Sequence, residues 1–327
     1  MPGRIKWGIL GTGRIAGSFA AALNSFNDAE LYGVASRSAE KAGAFSREHS
    51  VTKSFHDYES LAADPEVDVV YIATPHSLHK ENSLMCLEHG NAVLCEKPFA
   101  INAVEAYSVI AYARQRQLFL MEAMWTRFIP AAIKLKQLVA DKTIGEIRYL
   151  FAGGAFLPEF DPDFYLFRKD LGGGVLLDAG VYLVSLASWL LGYPDKIRCA
   201  GRLNEHGIDE HEAMLLEYDS GAIAGLYVSM RTRSSPDITI LGSKGKIYVH
   251  PPLFCPSKII LSLFDEEETE ITLPFASNGY QFEAMEVHRC LREGKTESAV
   301  MPLGETLGIM RTMDEIRGQF GLKYPME

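Results

Sequence analysis

The sequence lacks two features that would point to particular classes of protein: paired cysteines and an excess of positive charge. Its five cysteines are odd in number and form no Cys-x-x-Cys pair, which argues against a disulfide framework or a zinc site. The 32 lysines and arginines against 42 acidic residues leave a net charge of −10, which argues against nucleic acid or an anionic membrane as a general partner. We therefore expect a small-molecule substrate.

Long apolar runs are also missing, since none approaches the roughly 20 residues that a membrane-spanning helix needs. The first strand is predicted to begin by Arg4, which leaves no room for a signal sequence. Of the 327 residues, 47% are hydrophobic and 23% charged, as in an ordinary globular protein. At about 150 residues per domain, the length favours two domains. We expect a cytoplasmic, two-domain protein.

The first part of the chain, residues 1–124, alternates short apolar runs with helical segments. Residues 5–10 form an apolar run that ends at a glycine cluster. Residues 67–73 (VDVVYIA) are rich in β-branched residues and do not alternate, as in a strand buried on both faces. Helical spacing follows these runs, for example over residues 103–116. The alternation predicts an α/β domain with a doubly wound parallel sheet.

The pattern changes in residues 125–327, where hairpin signals replace the strand–helix alternation. The strand-like runs 214–218 and 223–228 flank the turn Asp219-Ser220-Gly221, and a similar pair follows. A helix is predicted over 176–191, and two more helices close the chain. We therefore predict a second α/β domain with a mostly antiparallel sheet.

A glycine-rich loop joins the first predicted strand to the first helix. Gly11-Thr12-Gly13-Arg14-Ile15-Ala16 fits the G-x-G-x-x-G/A pattern. Gly11 allows a tight turn, Gly13 lets the backbone approach a pyrophosphate, and Ala16 keeps the helix close to the sheet. Residues 11–15 are therefore predicted to bind a dinucleotide. A glycine turn without a ligand is the alternative.

The end of the second predicted strand indicates which dinucleotide binds. An NAD site usually has an acidic residue there, which bonds the ribose 2′-hydroxyl. This sequence has Ser36-Arg37-Ser38, with Lys41 in the next helix. A guanidinium and two hydroxyls would hold a 2′-phosphate that a carboxylate would repel. The sequence therefore favours NADP over NAD, with a solvated charge at Arg37 as the alternative.

Motifs spread over nearly the whole chain resemble those of the glucose–fructose oxidoreductase and inositol dehydrogenase family (GFO/IDH/MocA), and longer stretches are similar to its dihydrodiol dehydrogenase branch. The motifs are Gly11–Ala16, Thr74-Pro75-His76 with His79, Glu96-Lys97-Pro98, Phe119–Pro130 (FLMEAMWTRFIP) and Gly172–Tyr182 (GGGVLLDAGVY). The resemblance implies a Rossmann domain followed by an α/β domain with an open sheet. It also implies a homodimer formed through that open sheet.

Lys97 follows a predicted parallel strand, at the edge where open α/β sheets bind ligands. The resemblance implies that this lysine points at the nicotinamide and the reacting carbon; an exposed loop charge is the alternative. It also places four further residues beside the cofactor: Thr74, His76, His79 and Glu96. The two histidines are three residues apart, but no third and fourth ligand can be placed, so no metal site is predicted.

Asp178 and Tyr182 are four residues apart on a predicted helix and therefore share one face. In the inositol dehydrogenase branch, a histidine stands at the second position and acts as acid or base. A tyrosine there is typical of the dihydrodiol branch. The resemblance thus implies a catalytic pair of Lys97 and Tyr182, with Asp178 orienting the substrate or the tyrosine. A core tyrosine that bonds a carbonyl is the alternative for Tyr182.

The aromatic segment 156–167 (FLPEFDPDFYLF) favours a partly apolar substrate, although its acidic residues also suit the hydroxyls of a sugar. We predict that Trp125, Phe156 and Arg168 contact the substrate along with Asp178. Core packing or a dimer contact is the alternative for the aromatic residues, and an ordinary salt bridge is the alternative for Arg168.

Together these features predict an enzyme that transfers a hydride between NADP and a secondary alcohol or its carbonyl partner, with a trans-dihydrodiol-like or sugar-like substrate. A sugar or cyclitol dehydrogenase that uses NAD or NADP is one alternative. The other is a non-catalytic NADP-binding regulator, which need not keep an acid/base pair such as Lys97 and Tyr182.

Overall fold

A computed structural model describes residues 3–327, and the chain divides into two compact units. The first unit runs up to Trp125 and also contains Ala276–Leu307. The second unit contains Thr126–Phe275 and Gly308–Glu327. The sequence analysis placed a single break after residue 124, so the structure differs from it in returning the segment 276–307 to the first unit.

The first part of the chain alternates strands and helices, as the sequence predicts. These elements are β1 (Ile5–Leu10), α1 (Arg14–Leu23), β2 (Ala29–Ala35), α2 (Ala39–His49), β3 (Lys53–Phe55), α3 (Tyr58–Ala62), β4 (Val69–Ile72), α4 (His79–Glu88), β5 (Ala92–Glu96), α5 (Ala103–Arg116) and β6 (Leu120–Ala123). The short elements β3 and α3 are absent from the sequence prediction, because a few residues do not establish a period.

The rest of the chain begins with a helix and is dominated by strands. Its elements are α6 (Pro130–Ala140), β7 (Ile147–Ala155), α7 (Val181–Leu191), β8 (Lys196–Leu203), β9 (Asp209–Glu217), β10 (Ile223–Ser229), β11 (Ser234–Gly242), β12 (Gly245–Val249), β13 (Lys258–Leu263), β14 (Thr269–Thr272), α8 (Gln281–Arg292) and α9 (Leu303–Gln319). A π-helical turn, Leu176–Gly180, leads directly into α7.

The sheet of the first unit has the strand order β3-β2-β1-β4-β5-β6, and its pairings are parallel. All four residues of β4 are buried, which agrees with its continuous β-branched pattern. The strand order reverses between β1 and β4. This reversal creates a crevice at the carboxyl ends of the strands, where open α/β sheets bind their ligands.

Helix α8 joins the first unit because its residues complete the core beside β1. The indole Nε1 of Trp7 donates to Nε2 of His288 at 2.9 Å. Arg292 then forms an ion pair with Asp28 at 2.7 Å. The contact links residues about 280 positions apart, a pairing that no local sequence pattern reveals.

The second unit is built on a sheet of order β14-β13-β12-β11-β7-β10-β9-β8. Its pairings are antiparallel except for β7 with β10, which is parallel. Residues along β9 alternate between buried and exposed, so one face of the sheet is covered and the other is open. The open face exposes large apolar side chains: Tyr149, Phe151, Leu215 and Tyr227.

One helical stretch, Lys169–Leu191, is long and apolar enough to cross a membrane by length and composition alone. No run of this length was predicted from the sequence, because the stretch combines the turn Lys169–Leu171, the glycines 172–174 and the π-helical turn with α7. Of its most apolar window, 78% is buried inside the folded chain. A buried core helix passes the same test, so the stretch is weak support for a membrane span.

Candidate active site

The glycine loop after β1 has the geometry that close approach to a ligand requires. Gly11 has a φ of +105°, and a Cβ there would lie 2.5 Å from the backbone oxygen of Ala73. Gly13 is the N-cap residue of α1, and a Cβ there would meet no atom within 4 Å. The first turn of α1, beginning with the exposed Arg14, contains no acidic residue. The N-terminal end of the α1 helix dipole is positive and therefore fits a pyrophosphate group.

The turn after β2 presents hydroxyls and a cation. The Oγ of Ser36 accepts from the backbone N–H of Ser38 at 3.2 Å, and Ser38 caps α2 by accepting from the N–H of Lys41 at 3.3 Å. Arg37 is exposed between the serines. Burial raises the pKa of the Tyr58 phenol, and the nearby Arg37 guanidinium acts in the opposite direction. This set of donors fits a 2′-phosphate.

His79 is fully buried and connects the loops that follow β4 and β5. Its Nδ1 lies 2.8 Å from the backbone oxygen of Pro98, and its Nε2 lies 2.8 Å from that of Thr74. Asn82 donates to Oγ1 of Thr74 at 2.9 Å, and the ring of His76 lies 5.7 Å from that of His79. Burial lowers the pKa of His79. Both ring nitrogens face backbone carbonyl oxygens, and the one that carries the proton donates, so this residue links the two loops.

The carboxyl group of Glu96, at the end of β5, positions the backbone at Lys97. Tyr71 donates its hydroxyl to Oε1 of Glu96, and the N–H of Lys97 donates to Oε2 at 3.0 Å. Glu283 of α8 is fully buried, and burial raises the pKa of its carboxyl far above the usual value, with a further contribution from the charge of Glu96. Lys97 itself is only partly buried.

Trp125 belongs to the first unit, where its ring stacks on that of Tyr280 with 4.2 Å between centroids. The tryptophan is largely buried. The two stacked rings form an aromatic surface. Tyr280 was not predicted to be part of it, because this residue comes from the segment 276–307. Contact of Trp125 with a substrate remains a prediction.

The glycines 172–174 allow two segments to pack tightly against the start of the π-helical turn. A Cβ on Gly173 would lie 2.6 to 2.7 Å from three backbone oxygens of the segment 165–168. Gly174 has a φ of +114°, and a Cβ there would lie 1.9 Å from Oδ1 of Asp209. The other oxygen of Asp209 accepts from the N–H of Leu176 at 2.6 Å. Any larger residue at Gly173 would displace the segment 165–168, and any larger residue at Gly174 would displace Asp209.

Asp178 lies in the π-helical turn and is linked to the aromatic segment. The hydroxyl of Tyr165 donates to Oδ1 of Asp178 at 2.8 Å. Asp178 is partly exposed, so its carboxylate is also accessible to a ligand. Single π-helical turns inside α-helices are frequent at functional sites. The turn therefore places a fixed carboxylate next to the first turn of α7.

Tyr182 lies in the first turn of α7 and is partly buried, with its ring centroid 4.7 Å from that of Phe254. It lines a small cavity of about 30 Å³ together with other residues that include Thr126 and Arg127. Such a cavity has room for about one or two water molecules. Arg127 is buried and donates through Nε to Oγ of Ser185 at 3.0 Å, which fixes it against α7.

Arg168 and Phe156, both predicted to contact the substrate, also belong to the second unit. Nε of Arg168 donates to Oδ1 of Asp170 at 3.0 Å, as in the salt bridge that the sequence left open as its alternative. Phe156 is partly buried, and its N–H donates to the backbone oxygen of Ser229 at 2.9 Å. Substrate contacts of both residues remain predictions.

The predicted cofactor residues follow the carboxyl ends of four adjacent strands, β2, β1, β4 and β5, and so share one edge of the sheet. Of the predicted substrate residues, Trp125 belongs to the first unit and the others to the second. Sequence reasoning missed Asp209 and Glu283. Neither residue belongs to a motif, because each reaches its partners only through the pairing of distant elements.

A family model described as the oxidoreductase family with an NAD-binding Rossmann fold matches residues 5–124. The model of the GFO/IDH/MocA C-terminal domain matches residues 132–248. The chain therefore belongs to the GFO/IDH/MocA family of oxidoreductases. The family, the α/β fold class and the assignment as an NAD(P)-dependent oxidoreductase are confirmed.

Relatives in this family are similar over nearly the full length of the chain. The trans-1,2-dihydrobenzene-1,2-diol dehydrogenase of Xenopus tropicalis is 34% identical over 98% of this chain and 99% of the relative. The human enzyme of that name is also 34% identical, over 99% of both chains. These matches agree with the branch that the motifs resemble.

Solved structures share the whole fold. A 3-ketoreductase from Actinomadura kijaniata, in complex with NADP and TDP-benzene, is 25% identical with a TM-score of 0.86, over 97% of this chain and 98% of that one. A levoglucosan dehydrogenase with NADH and levoglucosan is 18% identical with a TM-score of 0.88, over 97% of both chains. One structure holds NADP and the other NADH, so the comparisons support a nicotinamide dinucleotide site without choosing between the two.

Proposed function

We propose that the chain is an NADP-dependent enzyme that interconverts a secondary alcohol and its carbonyl partner, with a trans-dihydrodiol-like substrate. The observation that carries the proposal is Lys97, which directly follows β5 at the ligand-binding edge of the sheet and whose N–H is held by Glu96. Tyr182, on the helix whose start Asp209 holds, is assigned as its catalytic partner because the family resemblance implies that role. Similarity to relatives named trans-1,2-dihydrobenzene-1,2-diol dehydrogenase supports the choice of substrate class.

Each polar group has a defined task in this reaction. The bound cofactor supplies the nicotinamide that accepts or donates the hydride. Tyr182 removes the hydroxyl proton during oxidation and returns it during reduction. The ammonium of Lys97 stabilises the negative charge that develops on the reacting oxygen. Asp178, held by Tyr165, accepts a hydrogen bond from a second hydroxyl of the substrate.

The preference for NADP rests on the turn after β2. Arg37 supplies a guanidinium, and Ser36 and Ser38 supply hydroxyls, where an NAD site usually has a carboxylate. A ribose 2′-phosphate gains charge-assisted hydrogen bonds from such donors, whereas a 2′-hydroxyl gains less. We therefore assign the 2′-phosphate of NADP to this turn.

A homodimer through the open sheet of the second unit is part of the proposal. The rings of Tyr149 and Phe151 stack with 5.6 Å between centroids, and both side chains are more than two-fifths exposed. Leu215 and Tyr227 extend the same face. Exposed apolar side chains on one open sheet face favour burial against a second copy.

The test measures turnover with NADP and with NAD over a panel of trans-dihydrodiols, aldoses and inositols. We expect the highest kcat/KM for NADP with a trans-dihydrodiol. Tyr182→Phe and Lys97→Met should each lower kcat by about a hundredfold or more, the usual effect of losing a general acid/base or an electrostatic donor. Binding of NADP, followed by titration calorimetry, should persist in both variants.

Tyr218→Phe is a matched control, because Tyr218 is another buried tyrosine of the second unit and its hydroxyl has no hydrogen-bond partner within the described range 3–327. It should keep wild-type turnover. Wild-type rates in both Tyr182→Phe and Lys97→Met would refute the catalytic assignment. Tight NADP binding without turnover on the whole panel would favour the regulator instead, and a preference for aldoses or inositols would favour the sugar or cyclitol dehydrogenase.

A further inference from the structure

Strand β9 brings two buried carboxyl groups to the start of the helix that carries Asp178 and Tyr182. Asp209 is fully buried, and Oδ2 accepts from the N–H of Leu176 at 2.6 Å. Its Oδ1 occupies the space beside Gly174 that a Cβ would need. The carboxyl group is thus confined between the glycine run and the first residue of the π-helical turn.

The second carboxyl group belongs to Glu212, three residues further along β9. It is 3% exposed, and neither oxygen has a hydrogen-bond partner among residues 3–327. Its Oε1 lies 3.2 Å from the position that a Cβ on Gly180 would take. Burial therefore raises the pKa of Glu212 far above the usual value, with a smaller contribution from the charge of Asp209.

Several elements around Asp209 contribute titratable or charged groups. Asp178 comes from the π-helical turn and Glu212 from β9 itself. Tyr324 of the C-terminal tail donates its hydroxyl to the backbone oxygen of Gly173 at 3.0 Å. Arg317 of α9 lies with its guanidinium 5.8 Å from the ring centroid of Tyr324.

The pKa of Asp209 is raised to about 6, mainly by burial and to a smaller extent by the charge of Asp178, while hydrogen bonds from the N–H groups of Leu176 and Val175 act in the opposite direction. The unfolded chain loses this proton near the ordinary aspartate pKa of 3.8. The folded chain is therefore destabilised as the pH rises from that value to about 6. Ionisation of Asp209 lowers the free energy of unfolding, which indicates that this carboxylate has a role other than stabilising the fold.

We propose that Asp209 is a positioning residue. Its carboxylate holds the π-helical turn at the start of α7, so that Asp178 and Tyr182 keep their catalytic orientation. A charged acceptor binds a backbone N–H about twice as strongly as a neutral one, and a negative charge suits the N-terminal end of a helix. This inference rests on the proposed function, since it assigns catalysis to the helix that Asp209 holds.

The test compares wild type with Asp209→Asn, which keeps an oxygen acceptor but can neither ionise nor titrate. We expect the wild-type kcat to fall below an inflection near pH 6. The variant should lack this inflection and show a kcat lowered about fivefold to tenfold at about pH 8, with KM changed less than twofold. Its Tm at that pH should not fall below the wild-type value, because the costly ionised carboxyl is gone.

Glu212→Gln is the matched control, because Glu212 is a second buried acid on the same strand and neither of its oxygens has a hydrogen-bond partner among residues 3–327. It should retain the inflection and the wild-type kcat. An Asp209→Asn enzyme that keeps both the wild-type kcat and the inflection would overturn the proposal. A variant whose kcat falls together with its Tm would also overturn it, because the loss would then be one of folding.

Amide hydrogen exchange of residues 172–182 provides a readout that requires no substrate. After correction for intrinsic rates, Asp209→Asn should exchange faster than wild type at about pH 8 and equally fast at about pH 5, where wild-type Asp209 is neutral. Equal exchange at both values refutes the positioning role, whatever the enzyme does. Wild-type turnover in both Tyr182→Phe and Lys97→Met instead refutes the catalytic assignment of the proposed function and leaves the exchange result standing.

Discussion

The hydroxyl of Tyr165 donates a hydrogen bond of 2.8 Å to Oδ1 of Asp178 and thereby joins the aromatic segment to the π-helical turn. The two residues are 13 positions apart in the chain. The intervening glycines let the backbone reverse closely enough for this contact, because a Cβ on Gly173 would strike the segment 165–168. The bond leaves Asp178 oriented before any substrate arrives.

Replacing Tyr165 by phenylalanine removes the donor and keeps the ring. We expect kcat/KM to fall about tenfold, since a hydrogen bond to a charged group contributes about 1.5 kcal/mol or more. Steady-state kinetics checks this value. Tyr32→Phe is the control, because Tyr32 also faces a carboxylate, Asp64, but in the first unit and with oxygens 3.4 Å apart. Unchanged kinetics in Tyr165→Phe would exclude an orienting role.

Gly174→Ala should destabilise the protein by more than about 3 kcal/mol. The added Cβ would meet Oδ1 of Asp209 at 1.9 Å, and the φ of +114° adds backbone strain. Gly294→Ala is the matched control: its φ is +66°, and a Cβ there would meet nothing within 4 Å. It should cost about 1 to 2 kcal/mol, the strain of a left-handed residue alone. Chemical denaturation of both variants measures the difference, and equal losses would contradict the steric argument.

Arg37→Ala should weaken NADP binding by about tenfold or more and leave NAD binding almost unchanged. The guanidinium is assigned to the 2′-phosphate, and losing one charge-assisted contact costs about 1.5 to 3 kcal/mol. Kd values for both dinucleotides test the split. Arg47→Ala removes another exposed arginine, at the end of α2, and should leave both Kd values unchanged. Equal weakening of NAD and NADP in Arg37→Ala would contradict the assignment.

Glu283→Gln should become more stable relative to wild type as the pH rises. The unfolded chain ionises Glu283 near the ordinary pKa of about 4.5, whereas burial keeps the proton on the folded chain at higher pH. The folded state then binds one more proton than the unfolded state. The wild-type free energy of unfolding therefore falls as the pH rises above that value, by at most about 1.4 kcal/mol per pH unit, and the glutamine variant lacks this pH dependence. Denaturation curves between about pH 5 and 8 measure it; a constant difference would contradict it.

Phe151→Glu should convert a dimer to a monomer, because it places a charge at the centre of the exposed apolar sheet face. Sedimentation equilibrium or light scattering measures the change in mass. Val104→Glu is the control, since Val104 is 78% exposed on α5 of the first unit. It should not alter the mass. A dimeric Phe151→Glu protein would place the interface elsewhere, and a monomeric wild type would exclude the dimer.

Much of the cofactor side could be predicted from the sequence because its signals are local. Gly11 and Gly13 stand next to a strand of continuous apolar residues, and Ser36 to Ser38 follow the next long strand. A dinucleotide loop needs only a strand, a tight turn and a helix in direct succession. Its residues therefore stay close in the chain as well as in space.

The second unit was predicted only in part, because its contacts join distant segments. The hairpin of β9 and β10 is apparent from its turn, whereas the parallel pairing of β7 with β10 crosses some 70 residues. The same holds for the return of 276–307 to the first unit, which depends on Trp7 and His288. The periodicity of apolar residues indicates which face of a helix or strand is buried, but it does not indicate which distant element packs on that face.

The sequence by itself determined the family, the fold class and the motif residues from Gly11 to Tyr182, because a strand end or a helix turn defines each of them locally. Only the tertiary structure decided which groups support them. Oδ1 of Asp209 beside Gly174, Glu283 in a core with Glu96, and Tyr165 bonded to Asp178 are all products of long-range packing. Burial raises the pKa values of Asp209 and Glu283, and these two side chains become buried only after distant segments have packed around them.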